Sequence, residues 1–242
     1  MKSYRKDDNN GKFNHIIQSD LDHFISTLSR NAYALIDCFQ MRNDEPNKMI
    51  VAVLYNKILN DFDSVKFLLE RGMIDQAYAL LRIMLEKRFI LKAIVIDRRR
   101  TEDFHKEILY QTNGKVIKAF KLGLIDEEEK NKRLAEEQKH TPASQWAEWA
   151  GLRDEYDREY SQFSDSVHMS AKVVESLIMD DEGIVSAIDT GMDINMSQSI
   201  MMTGAYFVLD VVKDVESLFG VVIVDRDNIY NEYNNLSQVI FL

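Results

Sequence analysis

Residues 74–96 read IDQAYALLRIMLEKRFILKAIVI and are apolar around most of a helical circumference. A helix of that kind belongs in the interior, packed against other helices on several sides. Arg82 and Glu86 interrupt the run four residues apart, so they share one helical face, along with the small residues Ala79 and Ala93. Charges carried into an interior cost several kcal/mol each unless they are paired and hydrogen-bonded. The pair therefore marks a structural clasp or one surface of a polar site.

The flanks of this helix are helical as well. Phe13, Ile16, Ile17, Leu21, Phe24, Ile25 and Leu28 recur at three-to-four spacing and predict an amphipathic helix running to about Gln40. A second helix is expected from about Asn47, with Val51, Leu54, Ile58, Phe62, Val65 and Leu69 on one stripe, closing at Gly72. Beyond the central run, Thr101 followed by Glu102 and Asp103 has the form of an N-cap with first-turn acids, opening a helix to about Leu122 that Asn113-Gly114 interrupts. Asp126 with Glu129 resembles a capping box for a charged helix over 126–139. Thr141-Pro142 supplies N-cap and first helical position for a short turn carrying Trp146 and Trp149 and closed by Gly151. A helix over 152–178 follows, then a turn at Asp180-Asp181-Glu182-Gly183 and a short β-hairpin near 178–192, where Ile184, Val185 and Ile188 are β-branched. Two further helices are expected, Asn195 to Phe219 and Asp227 to about Val239.

The composition agrees. With 242 residues, 45% hydrophobic, 29% charged, and only nine glycines and two prolines, the chain has length for a large core and few breaks in regular structure. The expected architecture is all-α: a flexible tail over 1–12, then a single multi-helix bundle over 13–242. Cys38 has no partner for an internal disulfide and sits among apolar residues, so it is expected in the core. The polar start MKSYRKDDNNGK lacks the form of a signal peptide, and the apolar stretch 200–212 is too short to span a bilayer. A cytoplasmic protein without a membrane segment is expected. A net charge of -10 disfavours general nucleic-acid binding, and the basic residues from Arg98 to Arg133 alternate with acids as on a solvated helical hairpin.

Candidate chemistry lies on the 152–178 helix. Tyr160, Ser164 and His168 succeed one another at i, i+4 and point the same way. Where that face meets Arg82 and Glu86, a compact polar centre results: Glu86 orients His168, the imidazole transfers a proton, and Arg82 holds an anion. The alternative is a satisfied core network in which His168 and Tyr160 only cap the buried charges. Glu102-x-x-His105 and Glu137-x-x-His140 match the i, i+3 spacing of carboxylate di-metal bundles, but the paired carboxylates from two further helices are not evident, and no metal or other cofactor is assigned. Trp146, Trp149 and Tyr156 suggest an aromatic wall. The apolar end Val239-Ile240-Phe241-Leu242 suggests self-association as a homodimer.

Two stretches together resemble a bacterial family classed as a domain of unknown function, family 5677. One is Leu69-Glu70-Arg71-Gly72 leading into Ala77-x-x-Leu80-Leu81-Arg82-x-x-Leu85-Glu86, and the other runs from Trp146 through Tyr156 and Tyr160 to Ser164-x-x-x-His168-x-Ser170. The resemblance implies an all-helical fold and no established activity. A more distant similarity, to nucleotide-binding helical bundles of the higher-eukaryote and prokaryote type, implies RNA cleavage in stress or phage defence. Those bundles place Arg four to six residues before His on one helix, whereas Arg158 stands ten before His168, so Arg82 would have to substitute from another helix. The functional expectations are thus a pocket for a small molecule or RNA built on Arg82, Glu86, Tyr160, Ser164 and His168; a non-enzymatic interaction module; or a di-metal bundle.

Overall fold

The structure is a computed structural model that describes residues 8–134, 139–165, 177–179, 185–188 and 194–241. Helix α1 is Asp8–Ile36, α2 Pro46–Glu70, α3 Ile74–Ile96, α4 Arg100–Lys121, α5 Glu127–Leu134 and α6 Ala143–Trp149. Next comes a helical run in three parts, α7 (Arg153–Glu155), a π-helical turn (Tyr156–Tyr160) and α8 (Ser161–Asp165). Two short strands, β1 (Leu177–Met179) and β2 (Val185–Ile188), pair antiparallel with Leu177 opposite Ile188. Helices α9 (Ile194–Phe219) and α10 (Arg226–Ile240) complete the described chain. The protein is an all-α bundle.

Helix α3 occupies the 74–96 span read from the sequence and lies at the centre. Its buried residues, Ala77, Leu81, Met84, Leu85, Arg88, Phe89, Leu91, Ala93 and Ile94, face several directions, which is why its apolar pattern shows no single stripe. It forms a hairpin with α2 across Arg71-Gly72-Met73. There Gly72 takes φ +71, and Gly72 N–H and Met73 N–H donate to Leu69 and Leu68 carbonyls at 3.0 and 2.9 Å. This closure satisfies two carbonyls at the end of α2 and needs the left-handed backbone that glycine adopts without cost. Helix α9 lies across both helices of the hairpin. A Cβ on Gly204 would stand 3.1 Å from Phe62 Cδ2 and 3.4 Å from Leu81 Cδ2, so a hydrogen at this position lets the three backbones approach. Helix α1 packs on α2 and α9, where Tyr55 donates its hydroxyl proton to the Ala32 carbonyl at 2.9 Å, and α10 closes the far side through Tyr233 beside Phe24. Fully burying one large apolar side chain contributes about 1.5–3 kcal/mol, and α2, α3 and α9 each carry a row of them.

Several local expectations are corrected. Thr101 lies inside α4, whose N-cap is Arg99; the anchoring acid is Asp97, whose carboxylate accepts from Arg99 N–H at 3.1 Å. Asn113-Gly114 does not break α4, since both residues keep helical hydrogen bonding from Arg100 to Lys121. Thr141 does not cap α6 either: the N-cap is Pro142, and Thr141 is turned to a different use. Helix α1 begins at Asp8, before Phe13, and ends at Ile36, which leaves Cys38 in the following turn and exposed rather than in the core. By contrast Asp126 caps α5 as read, accepting from Glu129 N–H at 2.8 Å. No helix among the described residues is long and apolar enough to cross a membrane.

Candidate functional site

Three of the five residues singled out on α3 and the 152–178 stretch meet. Arg82 Nε donates to Glu86 Oε1 at 3.3 Å, Arg82 Nη2 donates to the Tyr160 hydroxyl at 2.7 Å, and that hydroxyl donates onward to Glu86 Oε1 at 3.0 Å. The guanidinium also lies over the Tyr160 ring, 4.7 Å from its centroid. The triad sits at the edge of the core rather than in its interior, with the Arg82 and Glu86 side chains 25% and 36% exposed. Burial works against the Arg82 charge, but the bonds from Tyr160 and Glu86 outweigh it and raise its pKa. Burial, reinforced by Glu86, pushes the Tyr160 phenol up, so this hydroxyl keeps its proton and acts as a donor. Ser164 does not join the triad: its hydroxyl donates to the Tyr160 carbonyl one turn back at 2.6 Å. His168 lies outside the described residues.

The π-helical turn is what aims Tyr160. A π turn inserts an extra residue into the helical ladder and shifts the side chains after it. Here Tyr156 and Tyr160 stack at 4.6 Å between centroids, both toward α3. The start of this turn is fixed by the most buried charge in the core, Arg88, which is 0% exposed and which the sequence reading passed over. Its Nη1 and Nη2 grip both oxygens of Glu155, while its Nε donates to Asp210 Oδ2 at 2.6 Å and Nη2 also reaches the Tyr206 hydroxyl at 3.3 Å. Lys92, one turn on, pairs with Asp210 and Asp214 at 3.0 and 2.9 Å. Burial alone would raise Asp210, but Arg88 and Lys92 outweigh it and hold the carboxyl below its ordinary value; at Asp214 burial wins over Lys92 and the carboxyl is raised. A signal for this cluster was present. Arg88 and Lys92 are like charges at i, i+4, as are Asp210 and Asp214, and each pair is unfavourable on its own helix unless the other faces it.

Glu86 and Tyr160 form one wall of a cavity of about 310 Å³ between α3, α4, α6 and the π turn, lined also by Ile90, Glu107, Gln111, His140, Thr141, Trp146 and Tyr156. Glu107 is the buried residue of α4, and three donors converge on it: Gln111 Nε2 at 2.8 Å, Thr141 N–H at 2.6 Å and His140 Nδ1 at 3.3 Å. The His140 ring stacks on Tyr110 at 5.1 Å. Trp146 and Tyr156 line the cavity as the aromatic reading expected, whereas Trp149 packs edge-on to Trp146 and carries Arg100 over its face at 4.0 Å. Glu102 and His105 line a separate groove of about 380 Å³ with Pro46, Ile50 and Leu109; Glu137 lies outside the described residues. Among the described residues no three His, Cys, Asp or Glu side chains gather as a metal site.

The architecture is thus that of an all-helical protein with a half-open polar cavity against its central hairpin. The chain belongs to a family of unknown function, DUF5677, whose signature matches residues 48–184, from α2 through β1, and so includes α3, α4, α6 and the π turn, which build this cavity. No curated protein and no solved structure matches the chain.

Proposed function

We propose that the chain is a ligand-binding protein whose cavity takes a flat molecule bearing a cationic, hydrogen-bond-donating group such as an amidinium or guanidinium. The observation that carries this reading is the pairing of the Glu86 carboxylate with the aromatic surfaces of Trp146, Tyr156 and Tyr160 around one cavity. Aromatic walls take up flat molecules, and a carboxylate rewards donors. Every bond Glu86 makes to Arg82 and Tyr160 uses Oε1, which leaves Oε2 for a ligand. Arg82 is already neutralised by that contact and does not line the cavity, so the walls carry acids rather than a phosphate-holding cation. This disfavours the anion-holding role for Arg82 on which an RNA-processing reading depends.

The test is calorimetric titration with benzamidine, and with benzoate as the anion of like shape. Benzamidine is expected to bind and benzoate not, with Glu86→Gln weakening benzamidine at least about tenfold, the equivalent of 1.4 kcal/mol. Preference for benzoate would overturn the reading. An RNA-cleavage assay of wild type, Arg82→Ala and His168→Ala serves the alternative; product lost in both variants would restore it. Self-association is proposed separately on the exposure of Val239 and Phe241. Light scattering of the chain ended at Gln238 tests it, with a smaller mass than wild type expected.

A further inference from the structure

We infer that His140, held in one tautomer by Glu107, is the second recognition group of this cavity, accepting a ligand hydrogen bond at Nε2. The inference rests on the ligand-binding reading above and deepens it.

The two sides of the imidazole are differently placed. Nδ1 faces Glu107, a side chain only 6% exposed whose carboxylate also takes the Thr141 N–H at 2.6 Å and Gln111 Nε2 at 2.8 Å. A carboxylate surrounded by donors has only acceptor lone pairs to offer, so Nδ1 must carry the proton in the neutral ring. Nε2 is then a lone pair, an acceptor on a half-exposed ring at the cavity wall. The ring is held against swinging away by its stacking on Tyr110. Thr141, next to it, forms part of the same wall. It is 4% exposed and lines the cavity, and its hydroxyl oxygen has no partner among the described residues.

Glu86 and His140 together present acceptors, which selects a ligand that brings several N–H donors on one planar group. Amidines and guanidines have this form; carboxylates and phosphates do not. Glu107 acts through His140 and is a positioning residue.

Two measurements decide the matter, both on the full chain. Nitrogen-15 correlation spectra of the imidazoles, recorded above the ordinary histidine titration range, are expected to show His140 protonated on Nδ1. In Glu107→Gln, where the amide can donate to Nδ1, the proton is expected to move to Nε2. A wild-type ring protonated on Nε2 overturns the inference. Benzamidine titrations provide the second readout: His140→Leu is expected to weaken binding about tenfold, 1.4 kcal/mol, while His140→Gln, which keeps an acceptor oxygen near Nε2, recovers part of it. If His140→Leu binds as wild type while Glu86→Gln fails to bind, the His140 role is wrong and the cavity reading stands. If both bind as wild type, both are wrong.

Discussion

Arg88 shows how a single side chain decides where a site can form. Its guanidinium is fully buried and meets Glu155 and Asp210 from two other elements, so removing it takes the paired cation from Glu155 and leaves Asp210 to Lys92 alone. Breaking a buried pair from one side costs roughly 3–5 kcal/mol, and Arg88→Ala is expected to lower unfolding stability in urea by that order and to free the π turn, weakening benzamidine as well. The acids of the same cluster make an opposed pair with pH. Asp210 is depressed in the folded chain, so its contribution is present above the unfolded pKa and is lost as pH falls through the folded value. Asp214 is raised, so its charge opposes folding above the folded pKa, and protonating it on the way down restores stability. Melting temperature is therefore expected to rise slightly as pH drops through the window just above the ordinary aspartate range, then to fall below it. Asp214→Asn is expected to raise melting temperature at neutral pH and remove the acid-side rise, and Asp210→Asn to lower it; the reverse order would contradict the assignment.

At the scale of elements, the closest packing is where α9 crosses the α2–α3 hairpin at Gly204. A branched side chain there would drive into the Phe62 ring, whose atoms stand 3.1 and 3.2 Å from a bare Cβ. Overpacking of this kind costs about 1–3 kcal/mol, and Gly204→Val is expected to lose that much in urea unfolding with the helical signal retained. Such crossings are invisible in a sequence, because they depend on which helices meet. What was legible was each helix by itself. The 74–96 run ends where its apolar pattern ends, Gly72 marks the end of α2, and Arg82 and Glu86 pair because i, i+4 spacing puts them on one face, whereas Tyr160 reaches them through the π turn. The π turn was not legible, since Tyr156 and Tyr160 look like any i, i+4 pair. Glu107 and its pairing with His140, which the i, i+3 spacing had joined to Glu137 instead, were missed for a related reason. One lies on a helix and the other in a connection 33 residues on, and only the fold of α4 against α6 joins them. Thr101 and Thr141 misled because a hydroxyl beside a helix start resembles a cap, whereas Asp97 and Glu107 claim the backbone donors instead.

For the whole molecule, stability and the candidate site are carried by different parts. Helices α2, α3 and α9 bury row after row of large side chains, while the described residues of α4 bury Glu107 and of α5 none. Opening a segment costs free energy in proportion to what it buries, so the bundle divides into a resistant centre and a loosely held arm. Hydrogen exchange followed by mass spectrometry is expected to show amides of α4 and α5 exchanging faster by orders of magnitude than those of α2, α3 and α9. The cavity bridges the two parts: Glu86 belongs to the centre, while Glu107 and Gln111 belong to the arm, with His140 in the connection that follows it. A ligand gripping both must therefore tie the arm down. Saturating benzamidine is expected to slow exchange around Glu107 and Gln111, because an opening that lifts the arm off the cavity must first release the ligand. Slowing confined to the centre would mean that the ligand meets Glu86 alone, and the arm would then have no part in recognition.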